Sequence, residues 1–198
     1  AGVDNFKLVL QDVLKVDLKA LIAEEFPGMP VAVCANLPYN ITTPAITALI
    51  ESKCFASITV LVQKEVAERL CAAPGTSAYG AFSVFMQYYT EPELLFAVPR
   101  ECFEPQPKVT SAVLRAVVRR EPPVEVEDEK FFFRVVYAAF ALRRKTLVNS
   151  LMTAFGSQLT KEQVTQAVTS CGLEANIRGE RLGLSEFAVL AKAIHALA

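Results

Sequence analysis

Asn36-Leu37-Pro38-Tyr39 is the stretch whose residue types and spacing point most directly to chemistry. The asparagine side chain offers a carbonyl acceptor and an amide donor. The Leu37 carbonyl, on a chain turned by the following proline, offers a second acceptor, and Tyr39 adds a flat ring. Two acceptors beside a ring suit a planar base bearing an exocyclic amino group. The ring stacks on the base and the acceptors hold the amine.

The element that must position this stretch is the apolar run Val31-Ala32-Val33-Cys34-Ala35, which reads as a buried strand. Pro38 lacks an N–H and disfavours helix at Leu37, so the strand stops there. The chemistry then falls at the carboxyl end of a parallel strand, where open α/β sheets bind ligands. Upstream, Phe6-Lys7-Leu8-Val9-Leu10 alternates weakly and ends at Gln11-Asp12, which predicts a strand delivering a carboxylate to its carboxyl end. Downstream, Thr42 or Thr43 is the expected cap of a helix with Pro44 at its first position. Strands are expected at Ser57–Val62, Leu94–Val98 and Val109–Arg119, and helices near 64–72 and 82–89. Phe103-Glu104-Pro105-Gln106-Pro107 cannot be regular structure.

Arg120-Glu121-Pro122-Pro123 breaks the chain, and an acidic linker follows. From there the pattern is purely helical, over about 131–142, 144–155, 160–171 and 185–197, with Gly156 and Gly172 at helix carboxyl ends. Strands alternating with helices, then helices alone, imply an α/β domain over 1–121 and a small all-α domain over 122–198.

Composition excludes several classes. The chain has 198 residues, 53% hydrophobic and 21% charged, with no uncharged run of 18 apolar residues, so no transmembrane helix is expected. The first five residues lack the basic and apolar regions of a signal peptide. Five cysteines without a C-x-x-C pair read as reduced core thiols and point to the cytoplasm. No His/Cys/carboxylate cluster has metal-ligand spacing, and His195, the only histidine, reads as packed or on the surface. The net charge of −1 hides an asymmetry: residues 1–130 hold 12 Lys+Arg against 17 Asp+Glu, residues 131–198 hold 8 against 4. The back end is the candidate polyanion surface. Arg143-Arg144-Lys145, with no acid from 131 to 161, fits phosphate binding; on a helix these cations fan around the axis, with Phe140, Leu147 and Leu151 buried.

Taken in order, the motifs resemble those of the small-subunit (16S) ribosomal RNA adenine dimethyltransferases, the kasugamycin-sensitivity family. The matching stretches begin with Asn36 to Pro44, Val62 to Leu70, Tyr79-Gly80 with Ser83-Val84, and Gln87-Tyr88-Tyr89. Phe103-x-Pro105-x-Pro107-x-Val109-x-Ser111-Ala112-Val113 and Arg143 to Leu147 with Asn149-Ser150-Leu151 follow. The resemblance implies the carboxyl-terminal part of a class I, Rossmann-like methyltransferase sheet followed by a small helical RNA-binding domain. It implies S-adenosylmethionine as cofactor and dimethylation of two adjacent adenines in a hairpin of small-subunit ribosomal RNA. Asn36 and Leu37 would hold the amine, with Pro38 turning the chain. Tyr39 and Phe103 would sandwich the base. Asp12 would bind the cofactor's adenine amine beside Asn36, and Arg143, Arg144 and Lys145 would meet RNA.

One departure stands out: the eight glycines form no G-x-G-x-G run. The family likeness therefore implies a shortened, inactive chain whose first two strands and cofactor loop lie upstream of residue 1. Strand 31–35 would then present an unpaired edge, open to self-association or covered by residues 1–20. The runners-up are an antibiotic-resistance methyltransferase of large-subunit RNA, and a non-catalytic module that docks on RNA or the ribosome.

Overall fold

The computed structural model describes residues 5–197. The first half contains helix α1 (Leu18–Glu25), strand β1 (Val31–Asn36), helix α2 (Thr42–Glu51), strand β2 (Phe55–Gln63), helices α3 (Lys64–Leu70) and α4 (Ala81–Tyr89), and strands β3 (Thr90–Val98) and β4 (Ser111–Val118). The second half is helical: α5 (Glu129–Phe140), α6 (Leu147–Phe155), α7 (Lys161–Ser170) and α8 (Leu184–His195).

The four strands form one sheet in the order β1-β2-β4-β3, with β1 parallel to β2 and the other pairs antiparallel. Alternation decides which face is buried. Ile58, Val60 and Val62 of β2 and Ala112, Leu114 and Ala116 of β4 are at most 1% exposed, whereas Arg115 and Val117 face outward. Helices α2, α3 and α4 pack on the sheet. The core then runs without interruption through Phe85, Met86 and Tyr88 of α4 into Phe132, Val135 and Val136 of α5 and on to α6, α7 and α8. Caps delimit the helices: Asp17 accepts from Ala20 N–H and Asp128 from Phe131 N–H, both at 3.0 Å. Thr160 and Gln163 form a reciprocal capping box at the start of α7.

Several expectations need correction. Phe6–Leu10 is not a strand; Phe6 is 72%, Leu8 75% and Leu10 97% exposed. Alternation makes a strand only where a neighbour supplies the ladder, and none of the described strands pairs with it. Strand β1 exists but is not buried. It is an edge strand: Val31, Val33 and Ala35 are half-buried, and Ala32, Cys34 and Asn36 are exposed. Its outer edge has no ladder partner among the described residues, and residues 5–20 do not pair with it. All five cysteines are free, but only Cys54, Cys71 and Cys171 pack against the core, half-buried, whereas Cys34 and Cys102 are exposed. Helix α2 starts at Thr42 after Ile41, with no side-chain cap, and Pro44 is its third residue. Strand β3 begins four residues earlier than expected, because Thr90–Glu93 pair with Val118–Arg115. Gly172 has the left-handed φ of 75° expected after a helix, whereas Gly156 ends α6 at φ −65°.

Candidate active site

The site grows from the end of β1. Asn36 is the strand's last residue, opposite Leu61 of β2. The next residue extends the ladder by one bond, from Leu37 N–H to the Leu61 carbonyl at 3.3 Å. The buried Leu37 side chain anchors the turn in the core. Pro38, with φ −57° and ψ 132°, ends the ladder. Its carbonyl accepts from Ile41 N–H at 3.1 Å and from the Thr42 hydroxyl at 3.3 Å, which ties the turn to the start of α2. Asn36 is left exposed at the strand end, and Tyr39 is half-buried.

Phe103 arrives from the loop between β3 and β4. Cys102 N–H donates to the Pro99 carbonyl at 3.1 Å and Phe103 N–H to the Arg100 carbonyl at 3.2 Å, so a tight turn delivers the ring. The chain then bends through Phe103–Pro105, with a cis peptide bond between Glu104 and Pro105, and Pro105 and Pro107 keep regular structure out of the loop. The Lys64 N–H to Thr110 carbonyl bond, 3.0 Å, fastens the loop's far end to α3.

These two segments, more than sixty positions apart in sequence, meet in one cleft of about 310 Å³ lined by Asn36, Leu37, Pro38, Tyr39, Phe103, Pro105 and Pro107. That is at the small end of ligand sites, roughly 300–1,000 Å³. The structure thus brings together all five residues assigned to the reaction. The lining contains no carboxylate, imidazole or ammonium group. Such a cleft suits stacking and hydrogen bonding of a neutral planar base.

Two expectations about the surroundings change. Asp12 does not end a strand. Its carboxylate accepts from Leu14 N–H at 3.0 Å in a local turn and lies 3.9 Å from the Lys15 ammonium. Its side chain is 47% exposed, and it does not line the cleft of Asn36. A short carboxylate closes such a turn on itself wherever no strand holds the backbone extended. Arg143, Arg144 and Lys145 are not on a helix; they occupy the link between α5 and α6. Thr146 caps α6 by accepting from Asn149 N–H, which requires an extended residue there (ψ 157°) and breaks the helical run. All three cations are exposed. The Arg143 guanidinium donates to the Ser77 carbonyl. Arg143 and Lys145 border a second cavity, about 660 Å³, with Arg69, Tyr79 and Glu180 among its other walls.

Sequence reasoning gave no role to Ser111. Its hydroxyl lies 2.6 Å from the Tyr39 hydroxyl, and the residue is 0% exposed. The only available signal was its place in the Phe103-to-Val113 motif. Elsewhere, among the described residues, no group of three or more His, Cys, Asp or Glu side chains could hold a metal, and no helix is long and apolar enough to cross a membrane. The His195 ring stacks on Phe131 at 4.5 Å between centroids.

Comparison with known proteins adds the following. The family described as "Ribosomal RNA adenine dimethylase" matches residues 2–191. "Ribosomal RNA small subunit methyltransferase A" of Geobacillus sp. (strain WCH70) is 48% identical over 193 residues, covering 96% of this chain and 66% of that protein. The protein of the same name from Streptococcus gordonii is 50% identical over 194 residues, covering 96% and 67%. The chain thus spans about two thirds of the length of these relatives. Among solved structures, a dimethyladenosine transferase from Plasmodium falciparum superposes with a TM-score of 0.78 at 21% identity, covering 98% of this chain and 74% of that one. The 23S rRNA methyltransferase ErmE superposes with a TM-score of 0.64 at 22% identity, covering 93% and 70%. The shared fold is the Rossmann-like methyltransferase fold.

Proposed function

The chain belongs to the ribosomal RNA adenine dimethylase family, and on that premise we propose that its cleft receives an adenine of small-subunit ribosomal RNA for methylation of the exocyclic amine. The reaction is dimethylation of two adjacent adenines in a hairpin loop, during ribosome biogenesis in the cytoplasm. The observation that carries this reading is the meeting of Asn36, Tyr39 and Phe103 in one uncharged cleft.

The target amine is a poor nucleophile, because its lone pair is delocalised into the ring. The Asn36 side-chain oxygen and the Leu37 carbonyl accept hydrogen bonds from its two N–H groups and favour a pyramidal nitrogen with a localised lone pair. No base in the cleft is required, since the alkylated amine is acidic enough to lose its proton to solvent. Tyr39 and Phe103 stack on the two faces of the base, each stack being worth about 1–3 kcal/mol. The base arrives unpaired or flipped out. Holding it in line is worth up to roughly 7–11 kcal/mol in well-oriented systems.

S-adenosylmethionine is the methyl donor in this proposal and supplies an electrophilic methyl group when bound. The residues that line the cleft fit the acceptor side of that exchange. Asp12, assigned to the cofactor, is held in its own exposed turn by Leu14 N–H, outside the cleft lining. We therefore propose that these 198 residues alone do not turn over, and that residues 1–121 carry the methyl-transfer half and 122–198 the RNA-binding half. Arg143, Arg144 and Lys145 contact phosphates. The open outer edge of β1 pairs with a second copy when the chain is isolated; sedimentation that stays monomeric at high concentration would refute this.

The names of the relatives support small-subunit rather than large-subunit RNA as substrate. The test is transfer of labelled methyl groups by the full-length enzyme to a small-subunit hairpin bearing two adjacent adenines, beside a large-subunit hairpin. Labelling of the first alone supports the proposal. Labelling of the second alone defeats it.

A further inference from the structure

We infer that Ser111 is a positioning residue of the aromatic clamp: its hydroxyl pins the Tyr39 ring in the plane that receives the base. The inference rests on the adenine reading of the cleft. The two hydroxyl oxygens are 2.6 Å apart across 72 residues of sequence. Ser111 is the first residue of β4, with Gln63 of β2 on one side and Val98 of β3 on the other. Its backbone is therefore held from both sides in the middle of the sheet. Tyr39 sits in a short turn at the sheet edge, on the far side of β2. A phenol ring there swings about two torsions unless its far end is held. The hydrogen bond fixes that end and leaves the ring face to the cleft. Ordering the ring before the base arrives removes an entropic cost from the bound state.

The choice of residue supports a role beyond packing. Ser111 is 0% exposed, and a hydroxyl in such a position costs stability unless it is bonded. An apolar residue would fill a buried strand start without that requirement. The bond also couples the two sides of the cleft, because Ser111 follows directly on the loop that carries Phe103.

The test uses the full-length enzyme and methyl transfer to a small-subunit hairpin, comparing Ser111→Ala, Tyr39→Phe and the double variant. Each single variant is expected to lower kcat about tenfold, the equivalent of one lost hydrogen bond, with KM for RNA within about twofold of wild type. The double variant is expected to match the worse single variant, because both remove one interaction. Effects that multiply in the double variant, or a Ser111→Ala enzyme with wild-type kcat and only a lower melting temperature, would overturn the inference. Should Ser111→Ala fail to fold, Tyr39→Phe decides alone: unchanged kcat refutes the role and a tenfold loss at unchanged KM supports it. A wild-type enzyme that leaves adenine unmodified would instead count against the adenine reading itself.

Discussion

The Tyr79 hydroxyl donates a hydrogen bond to the Leu182 carbonyl at 2.9 Å, joining the loop before α4 to the segment before α8 across 103 residues. Both residues are buried, at 4% and 0% exposure. The contact is a buried tie between the sheet half and the helical half. Tyr79→Phe leaves the Leu182 carbonyl buried without this donor. The expected cost is about 1–3 kcal/mol, read as a melting temperature lower by roughly 2–10 °C for a chain of this size. A change under 1 °C would show that the bond does not hold the halves together.

A second cluster, the buried Tyr88 with the half-buried Tyr89 and the exposed Glu129, makes alkaline stability testable. The Tyr89 hydroxyl donates to the Glu129 carboxylate at 2.6 Å and the Tyr88 hydroxyl at 3.5 Å. Burial, and then the Glu129 charge, push the Tyr88 phenol up to about 12 from its ordinary 10.0. Because the folded pKa lies above the unfolded one, this contribution to stability is complete below pH 10 and is lost as pH rises through 12. Glu129→Gln removes the charge but not the burial. The ultraviolet titration of tyrosinate should therefore move to lower pH, and the alkaline loss of stability should shrink. An unmoved titration would separate Glu129 from these phenols.

The α5–α6 link should carry part of the salt dependence of RNA binding. Each phosphate contact contributes about 0.7–0.9 to the slope of log affinity against log salt. Replacing Arg143, Arg144 and Lys145 with Ala should flatten that slope by roughly 1–3. An unchanged slope would move the RNA surface elsewhere.

Much of this architecture was legible in the chain, for identifiable reasons. The proline at 38 ends β1 where its chemistry demands, and periodicity locates the helices of the second half. The cleft follows from a strand end and a proline-rich loop. What was not legible depends on partners distant in sequence. Phe6–Leu10 alternates like a strand but has no described ladder partner. Val31–Ala35 is apolar enough for a buried strand, yet sheet order puts it at an edge. Arg143–Lys145 contains no helix breaker, and only the cap at Thr146, a threonine before an apolar run, marks the break. The Tyr39–Ser111 contact spans 72 residues, beyond the reach of any local pattern.

The most direct test of the account is Asn36→Ala in the full-length enzyme, with single-turnover methyl transfer and RNA affinity measured side by side. Loss of one preorganised hydrogen-bonding group in such a site costs about 10²–10³ in rate. The account predicts at least that loss in the chemical step, with RNA affinity within about threefold of wild type. A variant that keeps its rate within tenfold, or that loses rate and affinity in parallel, would contradict the claim that residue 36 holds the reacting amine.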